Sequence, residues 1–256
     1  MSGQQQKAAA FRGLHVAGDP LVLFNAWDAG SARAVAEAGA RAIATGSWSV
    51  AAANGYPDGE NLPLSVALDN LRRIAAAVAA LPVTIDLESG YGEAPGIVAA
   101  TVAAAIDAGA IGCNLEDSFP VDGMLRDTGD QAVRLAAARK AADAAGVAMF
   151  INARTDVFFQ KPAPEHDAAM ADAALERARA YADVGASGLF VPGLVAEALI
   201  ARIAEASPLP VNVMAMPGLP PRARLAELGV ARISHGPGPY SGAMRWLTEA
   251  AKAAMA

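Results

Sequence analysis

Short apolar runs alternate along the chain with longer stretches in which apolar residues recur at helical spacing. The runs are too short for globular helices, and several are rich in valine and isoleucine, as buried parallel strands are. The pattern predicts eight strands, at Leu21–Asn25, Arg41–Gly46, Val83–Asp86, Ile111–Glu116, Ala148–Ala153, Gly188–Pro192, Pro210–Met214 and Ala231–Ser234.

The segments between these runs predict eight helices. Four of them end in an acidic residue, an apolar residue and a glycine just before the next strand. A glycine at this point supplies the positive φ that commonly ends a helix. The predicted helices are Ser31–Gly39, Leu64–Leu81, Val98–Ala108, Gln131–Ala145, His166–Val184, Val195–Ala206, Pro221–Leu228 and Ser241–Ala256.

Eight strands that alternate with helices over 256 residues predict an α/β fold, a (β/α)8 TIM barrel. An open doubly wound sheet would usually carry a glycine-rich phosphate turn after its first strand, and none is seen. No long linker divides the chain, so residues 1–256 are expected to form one domain, with residues 1–10 as a flexible N-terminus. Two longer connections, Ser47–Pro63 and Asp117–Asp130, are expected to carry substrate contacts or a lid.

Composition narrows the class of protein. The net charge of −6 argues against nucleic acid or an anionic membrane surface as a partner. The only cysteine, Cys113, cannot form an intrachain disulfide, and no apolar stretch approaches the length of a membrane span. The N-terminus lacks the apolar run of a secretory signal. We therefore expect a cytoplasmic protein.

Acidic residues stand where three of the predicted strands end. Asp86 and Glu88 follow the third strand, Glu116 and Asp117 the fourth, and Asp156 the fifth. Barrel enzymes place their chemistry at these strand ends. Crowded carboxylates repel one another, so a bound cation is the simplest way to neutralise them. With oxygen ligands and no cluster of cysteine or histidine, Mg²⁺ or Mn²⁺ is the expected metal.

Each charged residue also has a structural interpretation. Asp28 precedes the helix that starts at Ser31, and we interpret it as a helix cap. Asp86 and Glu116 end apolar strands, where an unpaired acid would be costly to bury, which favours a functional role. Arg154 could form a structural ion pair, although a fork that binds a carboxylate or phosphonate is favoured.

Five segments in order, on matching strand ends, make the chain resemble the isocitrate lyase / phosphoenolpyruvate mutase superfamily over nearly its whole length. That resemblance implies the same barrel. It also implies that Asp86 contacts Mg²⁺ directly, and that Asp58, Glu88 and Glu116 hold the ion largely through water. The segments are residues 25–33, 45–58, 86–92, 114–117 and 152–154.

The resemblance also implies roles toward a small-molecule carboxylate substrate. Ser47 and Trp48 fall where the substrate carboxylate is received, and Arg154 matches an arginine that faces the substrate. His235 could bind substrate or could be satisfied by backbone partners. The further positions with an implied catalytic role are Glu116, Tyr91 and Asn212.

Two departures from the superfamily pattern stand out. Glu88 replaces the usual aspartate, which lengthens that side chain by a methylene. The loop after the fourth strand, residues 118–126, lacks the cysteine and histidine found in the lyases that cleave isocitrate or methylisocitrate. The lysine and asparagine features of the phosphonomutase loop are not evident either.

The implied activity is Mg²⁺-dependent cleavage of a carbon–carbon or carbon–phosphorus bond of a small 2-oxo or 2-hydroxy acid through an enolate. Phosphonopyruvate or phosphoenolpyruvate mutase chemistry and a non-catalytic metabolite-binding barrel are the alternatives. Schiff-base catalysis is disfavoured because none of the four lysines ends a predicted strand. A homo-oligomer, a dimer or tetramer that exchanges the C-terminal helix, is expected by resemblance.

Overall fold

The eight predicted strands all form in the computed structural model, which describes residues 3–256. They are β1 (Leu21–Leu23), β2 (Ile43–Ala44), β3 (Val83–Asp86), β4 (Gly112–Glu116), β5 (Phe150–Arg154), β6 (Gly188–Phe190), β7 (Val211–Met214) and β8 (Arg232–Ser234). All neighbours pair in parallel, in the order β1-β8-β7-β6-β5-β4-β3-β2. Just beyond the strands, the Ala26 amide donates to the Ala44 carbonyl at 2.8 Å. This bond brings β1 beside β2 and confirms the (β/α)8 barrel.

The helices are α1 (Gly3–Gly13), α2 (Ala29–Glu37), α3 (Ser47–Ala53), α4 (Leu64–Ala77), α5 (Pro95–Asp107), α6 (Thr128–Ala144), α7 (Ala168–Asp183), α8 (Glu197–Ala206), α9 (Arg222–Glu227) and α10 (Gly238–Met255). Short 3-10 turns occupy Val157–Phe159 and Ala163–Glu165. All eight predicted helices are present, with ends shifted by a few residues. Within residues 3–256, none of the helices combines the length and apolar character that crossing a bilayer requires.

The N-terminal segment corrects one expectation. Residues 3–10, expected to be flexible, belong to α1, while Met1 and Ser2 lie outside the described residues. Phe11 is fully buried and meets the ring of Phe150 edge-on, with centroids 5.5 Å apart. Gln4 donates to two carbonyls at the end of α5, at 2.8 Å each. Helix α1 therefore closes the amino end of the barrel.

The connection after β2 is a second correction. The segment Ser47–Pro63 was expected to be a loop, yet it begins with α3. Gly46 precedes this helix and provides no side-chain cap, and the helix is only 7 residues long. Both features weaken the sequence signal for a helix.

Two kinds of predicted helix end are confirmed. The Ser31 amide donates to the Asp28 carboxylate at 2.7 Å, and the two residues form a capping box at the start of α2. At the carboxyl ends of four helices, the glycines adopt positive φ, as expected: Gly39 (89°), Gly109 (105°), Gly185 (92°) and Gly229 (83°).

The barrel interior is apolar at the bottom and polar higher up. The stacked rings of His15 and Phe150, 3.9 Å apart, lie near the amino end. Above them, Asn152 donates to Asn114 at 2.9 Å, and Arg232 is fully buried. The main apolar core lies outside the barrel, between the strands and the surrounding helices.

Candidate active site

A cavity of about 180 Å³ opens at the carboxyl ends of the strands. This is the end at which barrel enzymes carry their active sites. Five of the predicted site residues line it: Ser47, Trp48, Asp58, Asp86 and Arg154. The lining is Asn25, Gly46, Ser47, Trp48, Asp58, Asp86, Asn114, Arg154, Phe159, Phe190, Pro192, Met214, Ser234, Gly236 and Pro237.

Asp86 and Asp58 are the two carboxylates that line this cavity. Asp86 ends β3 and accepts hydrogen bonds from the amides of Ser47, at 3.2 Å, and Glu88, at 3.4 Å. Burial and the charge of Asp86 raise the pKa of Asp58, although a hydrogen bond with Ser47 acts in the opposite direction. The two side chains therefore repel each other across the space they share.

Glu88 lies beside the cavity and holds the segment that carries Asp58. Its Oε2 accepts the amides of Gly59, at 2.9 Å, and Glu60, at 2.6 Å, and the Tyr91 hydroxyl lies 3.4 Å from Oε1. Burial, and then the charge of Asp58, raise the pKa of Glu88 to about 7. Glu88 and Tyr91 line a smaller adjoining space together with Ser47 and Asp86, outside the main cavity.

The backbone around Glu88 is strained. Among residues 3–256, the only non-glycine residues with positive φ are Glu60 (60°), Glu88 (51°) and Tyr91 (59°). Glu60 accepts hydrogen bonds from the Ser89 hydroxyl at 2.6 Å and the Tyr91 amide at 2.8 Å. Strain of this kind costs free energy, and it persists where surrounding contacts enforce it at functional sites.

Arg154 ends β5 and is held between two carboxylates. Its Nη1 lies 2.5 Å from Glu116, and its Nε and Nη2 contact the two oxygens of Asp156 at 2.6 and 2.9 Å. Burial raises the pKa of Glu116, and the charge of Arg154 opposes that shift. Burial disfavours the charged form of Arg154, but Glu116 and Asp156 outweigh it and raise the pKa of the guanidinium. The guanidinium is therefore charged and fixed in one plane at the cavity wall.

The opposite wall is neutral and largely apolar. Phe190 and Met214 line it, and Trp48, at the start of α3, closes one side. Phe159 also lines the cavity but lies beside Arg154, with its ring centroid 5.7 Å from the guanidinium carbon. Sequence reasoning missed Phe190 and Met214 because an apolar residue at a strand end carries no chemical signal. It missed Phe159 because this residue lies in a 3-10 turn beyond β5. The Trp48 ring packs edge-on to Tyr240, with centroids 5.9 Å apart.

Asn25 joins the first and last strands at the cavity edge. Its Nδ2 donates to the Thr45 carbonyl at 2.8 Å, and its Oδ1 accepts the amides of His235, at 3.0 Å, and Gly236, at 2.9 Å. These bonds join the ends of β1, β2 and β8 and so close the barrel wall where β1 meets β2.

The structure does not bring His235 or Asn212 to the cavity wall. The His235 ring packs against Phe24, 4.9 Å between centroids, and lines a separate outer groove. The structure thus places His235 away from the predicted substrate contact, with its amide bonded to Asn25 and Leu23. Asn212 is buried behind Ser234, whose hydroxyl it contacts at 3.1 Å.

The loop after β4 is linked to Arg154 through Asp156. The Ser118 hydroxyl donates to Asp156 at 2.6 Å, and Phe119 and Met124 pair across a short hairpin at 2.9 Å. The hairpin tip is open, since Val121 is 95% exposed. This loop ends at Asp127, immediately before α6, three residues earlier than the predicted connection.

The carboxylates at the cavity fit a hard divalent cation. No group of three histidine, cysteine, aspartate or glutamate side chains in residues 3–256 is arranged to ligate one ion. Mg²⁺ keeps several water ligands and commonly binds through one or two carboxylates. The pair of Asp58 and Asp86 matches that requirement in both number and chemistry.

Comparison with known proteins agrees with this geometry. A phosphoenolpyruvate phosphomutase family model matches residues 11–255. A provisionally assigned phosphonomutase of Burkholderia cenocepacia J2315 is 61% identical, with a TM-score of 0.96 over 98% of this chain and 100% of that chain.

Two further relatives extend the match. An uncharacterised protein of Mycobacterium tuberculosis (strain ATCC 25618 / H37Rv) is 36% identical over 246 residues, which are 95% of this chain and 88% of the relative. The 2-methylisocitrate lyase of Escherichia coli (strain K12) is 32% identical over 205 residues, which are 79% of this chain and 67% of the relative. The chain therefore belongs to the phosphoenolpyruvate phosphomutase family and is an enzyme of the isocitrate lyase / phosphoenolpyruvate mutase superfamily.

Proposed function

We propose that this enzyme is a Mg²⁺-dependent lyase, with Mn²⁺ as a substitute, that cleaves a carbon–carbon bond of a small 2-oxo or 2-hydroxy acid through an enolate. One observation carries the proposal. The cavity sets two carboxylates, Asp58 and Asp86, beside the fixed guanidinium of Arg154. Such a site can hold a cation and an anion together.

Asp86 and Asp58 would hold the metal ion. Their oxygen atoms are the donors that Mg²⁺ prefers, and their mutual repulsion is relieved by a cation. Glu88 keeps the segment of Asp58 in place through its contacts with Gly59 and Glu60. When bound, the ion supplies Lewis-acid stabilisation of negative charge on the substrate oxygens.

Arg154 would orient the substrate. Glu116 and Asp156 hold its guanidinium from two sides, so little rotational freedom is lost when a carboxylate binds. Ser47 and Trp48 line the cavity next to the acids, where they can contact the same group. Precise placement of this kind lowers the barrier by fixing the reacting bond in one geometry.

The cavity favours a small substrate. Its volume of about 180 Å³ is below the range of about 300–1,000 Å³ typical for drug-sized ligands. Phe159 and Phe190 make part of the wall apolar, which helps to exclude water from an enolate. The loop that is anchored by Ser118 has no cysteine or histidine, so protonation of the enolate would fall to water or a carboxyl group.

Carbon–phosphorus chemistry is the second candidate. It is favoured by the 61% identical relative provisionally assigned as a phosphonomutase. The guanidinium of Arg154 could bind a phosphonate as well as a carboxylate.

One assay separates these possibilities. Pyruvate release is measured from oxaloacetate, phosphonopyruvate, methylisocitrate and dimethylmalate, with Mg²⁺ and then with EDTA. We expect EDTA-sensitive release from a carbon–carbon substrate. Release of pyruvate from phosphonopyruvate alone, or its conversion to phosphoenolpyruvate, would support the second candidate. A protein that binds Mg²⁺ and oxalate but turns over none of the four would contradict the lyase and favour a metabolite-binding barrel.

We also propose that two copies exchange α10. Within one copy, Pro239 is the only buried residue of α10, and Trp246 is 71% exposed. An apolar groove of about 640 Å³ runs along the outer face of β1 and α2, where a helix from a second copy would fit. Light scattering should show an oligomer that Trp246→Glu dissociates, and a wild-type monomer at micromolar concentration would contradict the exchange. The single buried cysteine supports the cytoplasmic location we propose for this oligomer.

A further inference from the structure

Arg232 stands in β8 directly below the cavity floor. It is 1% exposed, and it is the bulkiest of the fully buried side chains among residues 3–256. Burying a charge is costly unless partners compensate it. A guanidinium in the middle of the barrel therefore costs stability, which a functional role would explain.

The contacts of Arg232 lead upward to the cavity. Its Nε donates to the Ser234 hydroxyl at 3.1 Å, and its Nη2 lies 3.5 Å from the Asn114 Oδ1. Both partners line the cavity. Strands β8 and β4 lie on opposite sides of the barrel, so Arg232 crosses the interior beneath the floor.

No carboxylate neutralises Arg232 directly. Within residues 3–256 it makes no salt bridge, and its Nη1 has no hydrogen-bond partner. The neighbours that complete the layer, Asn152 and Asn212, are neutral amides. The positive charge is therefore free to act on the cavity above.

Two pKa values describe this charge, that of Arg232 itself and that of His15 below it. Burial lowers the pKa of Arg232 to about 9, with the charge of Asp86 opposing the shift, so the guanidinium is charged at neutral pH. Below it, burial and then the charge of Arg232 lower the pKa of His15 to about 3, which keeps the imidazole neutral. In the part of the chain that the structure describes, Arg232 is thus the one cation in the barrel interior between the bottom rings and the cavity floor.

We infer that Arg232 is a positioning residue that places a fixed positive charge beneath the cavity floor. Its charge strengthens the binding of an anion in the cavity and weakens the binding of a cation by the carboxylates. This inference rests on the proposed function, because the cation is the metal ion and the anion is the substrate. The enzyme would then hold its metal ion tightly only when an anionic ligand is also present.

Two substitutions test the charge separately from the packing. Arg232→Met removes the charge at similar volume, and Arg232→Lys keeps the charge but loses the planar fork. Calorimetry measures Mn²⁺ affinity without an anion, and then oxalate affinity at saturating Mn²⁺. A unit charge acting through an effective dielectric constant of about 20 is expected to change each affinity by about fivefold or more.

The expected signs are opposite for the two ligands. Arg232→Met should bind Mn²⁺ more tightly and oxalate more weakly than the wild type, while Arg232→Lys should bind both within about twofold of the wild type. If Arg232→Met does not fold, Arg232→Gln is the neutral variant to use. A loss of both affinities in both variants would mean that Arg232 only supports packing, and would overturn the inference.

The same measurements distinguish failure of the proposed function from failure of the role of Arg232. If the proposed function is wrong, wild-type protein will bind no Mn²⁺ at all. Equal Mn²⁺ affinities in the wild type and the neutral variant would overturn the role of Arg232 and leave the metal site standing.

Discussion

The two halves of the cavity differ in kind. The half made by the ends of β2 to β5 carries Asp58, Asp86 and Arg154, each engaged with polar partners. The half made by β6 to β8 carries apolar side chains and one hydroxyl, that of Ser234. Charge is thus confined to neighbouring strands, and the other half provides shape.

The two halves are also held in place differently. The charged half is fixed by hydrogen bonds that carboxylates accept and by a loop in which three residues adopt the left-handed backbone conformation. Close packing of Phe190 and its neighbours fixes the apolar half. We therefore expect substitutions in the charged half to abolish turnover, and substitutions in the apolar half to change substrate preference.

The largest effect is expected from Asp86→Asn. The change is isosteric but removes the charge that would hold the metal ion, so kcat/KM should fall by about a thousandfold. Pyruvate release from the best substrate of the panel measures the loss. Asp28→Asn is the matched control, because Asp28 caps α2 away from the cavity and asparagine is an equally good cap. Equal losses in both variants would contradict a special role for Asp86.

Arg154→Met should come next, with effects on both activity and stability. It leaves Glu116 and Asp156 buried without their partner, which should cost about 3–5 kcal/mol of unfolding free energy. We expect kcat/KM to fall by about a hundredfold. Urea denaturation and steady-state kinetics measure the two effects. Arg72→Met, which removes an exposed i,i+3 pair with Asp69, should change neither by much.

The charged half should also make stability depend on pH. The raised pKa of Glu88, about 7, means that the folded protein retains a proton that the unfolded chain releases near pH 4.5. Burial raises the pKa of Glu116 in the same direction. The unfolding free energy of metal-free protein should therefore fall as pH rises from about 5 to 8, by on the order of 3 kcal/mol from Glu88 alone. Denaturation at several pH values in EDTA tests this, and added Mg²⁺ should flatten the slope. An unfolding free energy that rises between pH 5 and 8 would contradict the raised pKa values of these buried acids.

The smallest effect is expected in the apolar half. Met214 ends β7, lines the cavity and is only partly buried, so the volume-conserving change Met214→Leu should lower the unfolding free energy by less than about 1.5 kcal/mol. KM should change by about two- to tenfold, and by different factors for substrates of different size. A loss of kcat as large as that of Asp86→Asn would remove the distinction between the two halves.

Most of the barrel could be predicted from the sequence because each buried strand is a short apolar run and four helices end in glycine. Helix α1 was missed because its polar, alanine-rich sequence places few side chains, Phe11 among them, in the core. Helix α3 was missed because it is short and has no side-chain cap. Local pattern indicates an element well only when many of its residues face the core.

The charged part of the site could be predicted for a similar reason, since an acid at the end of an apolar strand is conspicuous. The hydrogen-bond partner of each acid could not be predicted from the sequence. Glu88 bonds to the amides of Gly59 and Glu60, which depends on a strained loop that no pattern reveals. Arg232 did leave a signal, a charge within the apolar run Ala231–Ser234, but only the structure places it beneath the cavity.

The most direct test of the central claim is the binding of oxalate, a planar mimic of the enolate of pyruvate. An enzyme that stabilises an enolate should bind such a mimic tightly. Calorimetry with Mg²⁺ should show tight binding that EDTA abolishes and Asp86→Asn weakens strongly. Oxalate binding of equal strength with and without Mg²⁺, or in the Asp86→Asn variant, would contradict a metal-dependent enolate site.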